Sequence, residues 1–363
     1  MNLSVGIVGL PNVGKSTLFN ALTNSTVEAA NYPFATIDPN VGIVKINDPH
    51  LLKLAEVVNS KSIVHAVVEF VDIAGLVKGA SEGAGLGNQF LANIRETGCI
   101  AHIVRVFSDE NIIHVANRID PKDDIEIINT ELCIKDLDTI TKIKNNNEKQ
   151  KKSGTTDEVE KKLDLINRII DQLDNNLMIN KLDLDEEEKK MLKEWSLLTA
   201  KPMLYVANVD ESDIHMDDHA IKEKLGLSPI DTVIVMNIKL ELEISQLSDE
   251  DKPMFYEDLG ITESGIDRLA KAGYQTLGLI DYYTAGEKEV RAWTIKKGTK
   301  APQAAGVIHK DFENKFIGLD CVDYEKFVEA GGWSAAKEKG FLRMEGKEYI
   351  VKDSDVVIVK HGS

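Results

Sequence analysis

The sequence predicts an α/β fold that is interrupted by a long helical segment and followed by a small mixed α+β domain. Short apolar runs typical of buried strands alternate with helical patterns, and the runs end at Val8, Val71, Phe107, Ala207 and Met236. Between residues 111 and 200 the apolar residues recur at helical spacing instead. A new alternating pattern at 288–295 indicates a half-buried strand. These observations predict domains at 1–110 together with 201–277, at 111–200, and at 278–361.

The composition excludes several classes of protein. The 363 residues carry 43 Lys and Arg against 60 Asp and Glu, a formal net charge of −17. Such a chain does not bind nucleic acid or anionic membranes through general electrostatics, so any RNA contact must be local. No apolar run approaches the roughly 20 residues that span a membrane, and the N-terminus lacks an export signal. Three widely spaced cysteines favour a reducing compartment, so we expect a cytoplasmic protein.

The stretch from Gly9 to Thr17 reads G-x-x-x-x-G-K-S-T and directly follows an apolar strand. Backbone N–H groups of such a loop converge on phosphate oxygens, and the next helix turns its positive N-terminus toward the anion. Lys15 is placed to reach the outer phosphates as a catalytic cation, and the Ser16 hydroxyl to ligate Mg²⁺. A Gly-rich turn without function is the alternative. The predicted phosphate-binding residues are Asn12, Val13, Gly14, Lys15, Ser16 and Thr17.

Two later segments carry residue types that complete a magnesium site. Thr36 lies in a proline-containing loop at 31–42, where its hydroxyl is a candidate Mg²⁺ ligand; a Thr that only stabilises the turn is the alternative. Asp72 follows an apolar strand and begins a D-x-x-G motif, so its carboxylate is expected to hold the metal through a water molecule. The residue after this motif, Leu76, cannot orient a water molecule as a Gln would.

The segment from 111 to 200 predicts a helical hairpin. Its second half has apolar residues that step by four and three, in a heptad seam of Val159, Leu163, Ile166, Ile170, Leu173 and Leu177. A polar stretch at 145–154 predicts the turn. The lysines near this tip, Lys149, Lys151 and Lys152, belong either to an ordinary solvated turn or to a contact with RNA or an acidic partner.

The residues from Asn208 to Glu211 follow a strand at the place where GTPases carry N-K-x-D to read guanine. Val209 replaces the Lys and Glu211 replaces the terminal Asp, so the guanine-reading motif is altered. We expect Asn208 to hydrogen-bond an adenine edge and Val209 to pack on the ring.

On these motifs, together with 31–42, 72–80 and 285–294, the sequence resembles the YchF family of Obg-like ATPases over essentially the whole chain. The resemblance implies a Ras-like P-loop NTPase domain with an inserted coiled-coil domain, and a C-terminal TGS domain of the β-grasp type. It also implies Mg²⁺-dependent hydrolysis of ATP in preference to GTP and association with ribosomes. The hairpin tip and the TGS domain are the expected places for local RNA contacts.

The resemblance adds two candidate residues. The family has a hydrophobic residue in place of the catalytic Gln, matched here by Leu76, and is thought to use a histidine in the segment that matches 111–115. His114 is therefore the candidate catalytic residue, with an ordinary hinge histidine as the alternative. Asn12 occupies the phosphate-loop position used by K⁺-activated relatives, which implies faster hydrolysis in K⁺ than in Na⁺.

The sequence leaves three alternative functions open. The first is a GTPase with relaxed base choice. The second is a nucleotide-gated module that binds the ribosome or RNA and hydrolyses nucleotide only incidentally. The third is a metal enzyme, because His215 and His219 at i and i+4 are spaced to chelate a metal ion.

Overall fold

The computed structural model describes residues 3–25, 40–73, 85–109, 118–153, 156–248 and 250–362. The first elements in chain order are β1 (Ser4–Val8), α1 (Lys15–Asn24), β2 (Val41–Lys45), α2 (Pro49–Val57), β3 (Ile63–Val64), β4 (Val67–Asp72), α3 (Gly85–Glu96), β5 (Cys99–Arg105), α4 (Pro121–Ser153), α5 (Asp157–Asp174) and α6 (Glu186–Trp195). The next are β6 (Met203–Asn208), α7 (Asp218–Leu225), β7 (Thr232–Met236), α8 (Ile238–Ser245), α9 (Lys252–Asp258) and α10 (Gly265–Thr276). The last are β8 (Leu279–Ala285), β9 (Val290–Lys296), α11 (Ala301–Ile308), α12 (Lys310–Asn314), β10 (Phe316–Asp323), α13 (Tyr324–Ala330), α14 (Trp333–Glu338), β11 (Arg343–Glu345) and β12 (Asp355–His361).

These elements form two compact units. Unit 1 takes its described residues from 1–25, 38–42 and 69–269, and unit 2 takes its described residues from 43–68 and 270–363. The helices α4 to α6 lie within unit 1, whereas α2 and β3 lie within unit 2. The predicted boundaries differ here, because they place 43–68 in the N-terminal domain. An apolar run marks a strand without saying which sheet it joins, and β3 pairs in parallel with β9.

The N-terminal sheet has the strand order β2-β4-β1-β5-β6-β7. β1 pairs in parallel with both β4 and β5, and the pairs β5–β6 and β6–β7 are also parallel. Every residue of β1 and β5 is buried, as expected for central parallel strands covered on both faces. The predicted α/β fold is confirmed. Because carboxyl ends of parallel strands meet at one edge, the segments after β1, β4, β5, β6 and β7 begin close together.

The helical hairpin is formed by α4 and α5, which pack along one another. The turn differs from the prediction, because α4 continues to Ser153 and the stretch 145–152 is helical. Its Asn, Gln and Lys side chains mark exposure to solvent rather than a break in the helix. The seam differs too: α5 buries Leu165, Ile166, Ile169 and Leu173, while Leu177 lies beyond the helix and is 51% exposed. No helix in the described ranges has the length and apolar character required to span a bilayer.

Unit 2 contains a mixed sheet of order β11-β10-β12-β8-β9-β3. β8 pairs with β9 and β10 with β12 in antiparallel fashion, whereas β12 runs parallel to β8. α11 packs its small residues Ala304 and Ala305 on a core that includes Tyr282, Ile295 and Phe316. The expected strand at 288–295 is present as β9. This mixed α+β arrangement confirms the fold class predicted for the C-terminal segment.

Candidate functional site

The predicted phosphate loop connects β1 to α1 at the carboxyl edge of the sheet in unit 1. Two of its glycines are required by close approaches. A Cβ atom on Gly9 would lie 2.8 Å from Val13 Cγ2 and 3.0 Å from the Ile103 carbonyl oxygen. Gly14 has a φ of +103°, and a Cβ atom there would lie 2.7 Å from Asn208 Nδ2. The loop therefore has its compact shape because these two positions have no side chain.

The first turn of α1 is arranged to receive an anion. Gly14 is the N-cap and has no side chain to satisfy the first N–H groups of the helix. Such N–H groups, together with the helix dipole, attract negative charge. Ser16 is exposed on this turn, whereas the Val13 side chain is buried. Val13 can therefore contribute only backbone groups to a bound phosphate.

Lys15 and Asp72 lie together beside this helix N-terminus. Lys15 Nζ is 2.5 Å from Asp72 Oδ1, and the two side chains are 13% and 23% exposed. Asp72 ends β4, where it is in register with Ile7 of β1. The sequence places these residues 57 positions apart, and the parallel pairing of β1 with β4 brings them together. A cation and a carboxylate thus face the place where a phosphate would sit.

The donors near the loop fit Mg²⁺ rather than a transition metal. Asp72 and Ser16 offer oxygen ligands, and Mg²⁺ commonly uses one or two protein oxygens together with substrate phosphates and water. The described residues contain no cluster of three or more His, Cys, Asp or Glu side chains that would hold a metal by themselves. His215 Nε2 lies 3.1 Å from the Leu259 carbonyl oxygen, so this ring is engaged with the backbone.

A cavity of about 690 Å³ extends from the phosphate loop along the carboxyl ends of β5, β6 and β7. Its walls come from Asn12, Gly14 and Thr17, from 107–109, from 208–211, and from 237–240 with Glu243. This volume is in the range of small-molecule and cofactor sites. Polar groups and the half-buried ring of Phe107 share the lining. A phosphate at the α1 N-terminus would place the rest of a nucleotide in this cavity.

Asn208 ties the phosphate loop to the opposite wall of the cavity. Its Nδ2 donates to the Val13 carbonyl oxygen at 3.0 Å, and its Oδ1 accepts from the Ile238 N–H at 3.0 Å. The side chain is buried, and only 6% of the residue is exposed. The predicted hydrogen bond to an adenine edge would have to use the second N–H of Nδ2 or the second lone pair of Oδ1. In this structure Asn208 positions the loop.

Replacement of Asn208 by Ala is expected to lower the free energy of unfolding by about 2 kcal/mol or more, because two buried backbone groups lose their partners. Urea unfolding measures this loss, and the affinity for a nucleoside triphosphate should fall with it. Asn24→Ala is the matched control, since Asn24 Nδ2 makes an exposed bond of 3.2 Å to Ser245 Oγ. Equal losses in the two variants would contradict the assigned role of Asn208.

The prediction that the Val209 side chain packs on a base is wrong. Val209 is 0% exposed and belongs to a core cluster with Val104, Ala207 and Val235. Val209 borders the cavity, and its carbonyl oxygen accepts a hydrogen bond of 2.8 Å from Asn237 Nδ2. The Val209 side chain belongs to the core that also contains Ile221 and Leu225 of α7.

The wall formed by Phe107, Ser108 and Asp109 is not predicted from the sequence. These residues follow β5 directly, and Asp210 Oδ2 accepts from Ser108 N at 3.0 Å and from Ser108 Oγ at 3.2 Å. No motif marks the segment. Its position after a central parallel strand was the available signal, because that is where such sheets bind ligands.

Several predicted residues lie outside the described part of the chain. These are Thr36, the candidate metal ligand, His114, the candidate catalytic residue, and Leu76 after the D-x-x-G motif.

Comparisons with known proteins agree with this architecture. The family model YchF-GTPase_C, described as "Protein of unknown function (DUF933)", matches residues 279–362. The model MMR_HSR1, described as "50S ribosome-binding GTPase", matches residues 4–134. The first range lies in the C-terminal segment, and the second runs from the N-terminal part of the chain into the helical segment.

Full-length relatives are similar as well. Proteins called "Ribosome-binding ATPase YchF" are 50% identical over 361 residues in Bacillus subtilis and 49% identical over 358 residues in Escherichia coli O157:H7, and each match covers 98% of both chains. The solved structure of the Schizosaccharomyces pombe YchF GTPase has a TM-score of 0.88 at 39% identity, covering 99% of this chain and 98% of that one. The resemblance seen in the motifs is thereby confirmed, and the chain belongs to the YchF family.

Proposed function

We propose that this protein is an ATPase that binds and hydrolyses ATP in preference to GTP and acts as a ribosome-associated nucleotide switch in the cytoplasm. The observation that carries the proposal is that the N-terminus of the Gly14-capped helix borders the 690 Å³ cavity and also carries Lys15, which is paired with Asp72. The relatives called ribosome-binding ATPases supply the partner, which the acidic composition alone does not suggest.

The phosphates would be held by the backbone from Asn12 to Thr17 and by Lys15. In the described structure Lys15 is paired with Asp72, so nucleotide binding would exchange this ion pair for a contact between Lys15 and the outer phosphates. Asp72 would then be free to hold Mg²⁺ through a water molecule, with the hydroxyls of Ser16 and Thr36 as direct ligands. Bound Mg²⁺ would neutralise charge that develops on the transferred phosphoryl group.

The preference for ATP rests on the altered motif from Asn208 to Glu211. In the guanine-reading motif the last position is an Asp whose carboxylate accepts hydrogen bonds from the base. Here that position holds Glu211, whose carboxylate is one methylene group further from the backbone. The neighbouring carboxylate, Asp210, already accepts two hydrogen bonds from Ser108. Phe107 lines the cavity and offers an aromatic face on which a purine can stack. The relatives' names include both ATPase and GTPase, so base choice needs a direct test.

Two features of catalysis belong to the same proposal. His114 would position or activate the attacking water, because Leu76 cannot do so by hydrogen bonding. Asn12, which lines the cavity and has a φ of 64°, is the candidate residue for a K⁺ ion that assists hydrolysis. Contacts of the hairpin tip and the C-terminal domain with ribosomal RNA complete the proposal.

Hydrolysis of ATP and of GTP, each with and without ribosomes, tests the proposed function. We expect slow turnover of ATP alone, slower turnover of GTP, and a large stimulation of the ATP reaction by ribosomes. The Lys15→Ala variant serves as the control for contaminating activity. Faster turnover of GTP would favour the GTPase with relaxed base choice. If the wild type and the Lys15→Ala variant both bind ribosomes equally well with and without nucleotide, and ribosomes do not stimulate hydrolysis, the module with incidental hydrolysis would be favoured.

A further inference from the structure

Arg105 ends β5 and is buried directly behind the cavity wall at 107–109. Only 1% of the residue is exposed, although it carries a guanidinium group. Its Nη2 donates to the Asp109 carbonyl oxygen at 3.1 Å, and its Nε donates to the Phe107 carbonyl oxygen at 3.4 Å. Its Cζ atom lies 4.4 Å from the centroid of the Phe107 ring. One side chain therefore contacts the backbone at both ends of the wall and the face of its aromatic ring.

The other side of the wall is attached to β6. The Asn208 carbonyl oxygen accepts from Phe107 N at 3.0 Å, and Asp210 Oδ2 accepts from the N–H and the hydroxyl of Ser108. These bonds fix the backbone at 107–108. Arg105 instead stacks on the Phe107 ring itself and thereby helps to orient it.

The chemistry of arginine suits this task. Burial of a charged group costs free energy unless hydrogen bonds and an aromatic face compensate, so a core position is normally filled by an apolar side chain. A planar guanidinium group can donate to two carbonyl oxygens and stack on a ring at the same time, which a lysine ammonium cannot do. Arg105 thus uses the hydrogen-bonding and stacking capacity of its guanidinium group, which a residue that only filled space in the core would not need.

We propose that Arg105 is a positioning residue for nucleobase selection, because it holds the Phe107 ring and the Asp109 backbone in the conformation that receives a purine base. The proposal rests on the proposed function, in which this cavity binds the base of ATP. Arg105 would act through the wall, whereas the phosphates would be held at the α1 N-terminus. Its removal should therefore affect recognition of the base and leave phosphate binding intact.

The test compares affinities for Mg²⁺–ATP and for inorganic tripolyphosphate in the full chain. Arg105→Met should weaken ATP binding about tenfold, the effect of one lost hydrogen bond to a charged group. It should change tripolyphosphate binding by less than about twofold, since the phosphate loop is untouched. Arg105→Lys should fall between Arg105→Met and the wild type and provides a second variant if Arg105→Met does not fold. Arg343→Met is the control for general loss of stability, because Arg343 is ion-paired to Asp323 in unit 2.

A double-mutant cycle with Phe107→Leu shows whether Arg105 acts through the ring. If Arg105 acts through the ring, the ATP affinity of the double variant should be about equal to that of the single variant with the lower affinity. Fully additive losses, equal weakening of ATP and tripolyphosphate, or unchanged ATP affinity would each overturn the positioning role. A wild-type protein that binds ATP no more tightly than tripolyphosphate would instead refute the base contact of the proposed function, and the role of Arg105 with it.

Discussion

Replacement of Lys15 by Met is expected to lower the rate of ATP hydrolysis by about 100-fold or more, as loss of a donor to a developing negative charge does in other enzymes. Two effects combine in this variant. The phosphates lose the ammonium group, and Asp72, which lies 2.5 Å from Lys15 Nζ, is left as an uncompensated negative charge near them. Single-turnover hydrolysis measures the loss without interference from product release.

Lys53→Met is the matched control for the Lys15 variant. Lys53 is also paired with a carboxylate, at 2.7 Å from Glu56 Oε2, but both side chains are exposed and the pair lies in unit 2. Exposed pairs of this kind contribute little to stability, so hydrolysis by this variant should equal that of the wild type. A Lys15→Met protein with the rate of the control would contradict the assignment of the phosphate site.

Replacement of Gly14 by Ala is expected to cause the second large effect, a loss of ATP affinity. The φ of +103° at Gly14 costs an L-residue about 1–2 kcal/mol from backbone sterics alone. The new methyl group would also lie 2.7 Å from Asn208 Nδ2 and 3.3 Å from Ile238 Cδ1. Asn208 must then move and give up its bond to Val13. We expect ATP affinity to fall about 100-fold, because small displacements of a positioning loop are costly.

The Gly298→Ala variant separates the backbone strain from the close contact with Asn208. Gly298 has a similar φ of +91°, but a Cβ atom there would meet no atom within 4 Å. This variant should therefore lose about 1–2 kcal/mol of unfolding free energy from the backbone alone and keep the ATP affinity of the wild type. Titration of ATP together with urea unfolding measures both quantities. If the two alanine variants bind ATP equally well, the close packing of Gly14 on Asn208 does not shape the site.

Much of the fold of unit 1 follows from local patterns in the sequence. β1 and β5 are mostly apolar and buried along their whole length, because parallel strands at the centre of a sheet are covered on both faces. The phosphate loop was identifiable because glycine, lysine and serine occur at fixed spacing after such a strand. Asp72 was identifiable from its place at the end of another strand, and the structure brings it to Lys15.

Other features depend on tertiary packing that local patterns do not encode. Val209 follows the recognisable Asn208, yet its side chain is directed into the core by the packing of β6 against α7. The polar stretch at 145–152 has a composition that suits an exposed helix as well as a turn, and the structure forms the helix. Arg105 and Phe107 belong to no short motif, and their mutual contact becomes visible only when the wall is folded.

The most direct test of the proposed preference for ATP is isothermal titration of the wild-type protein with ATP and with GTP in the presence of Mg²⁺. We expect one bound nucleotide per chain and a tighter complex with ATP. Absence of ATP binding, or a tighter complex with GTP, would contradict it.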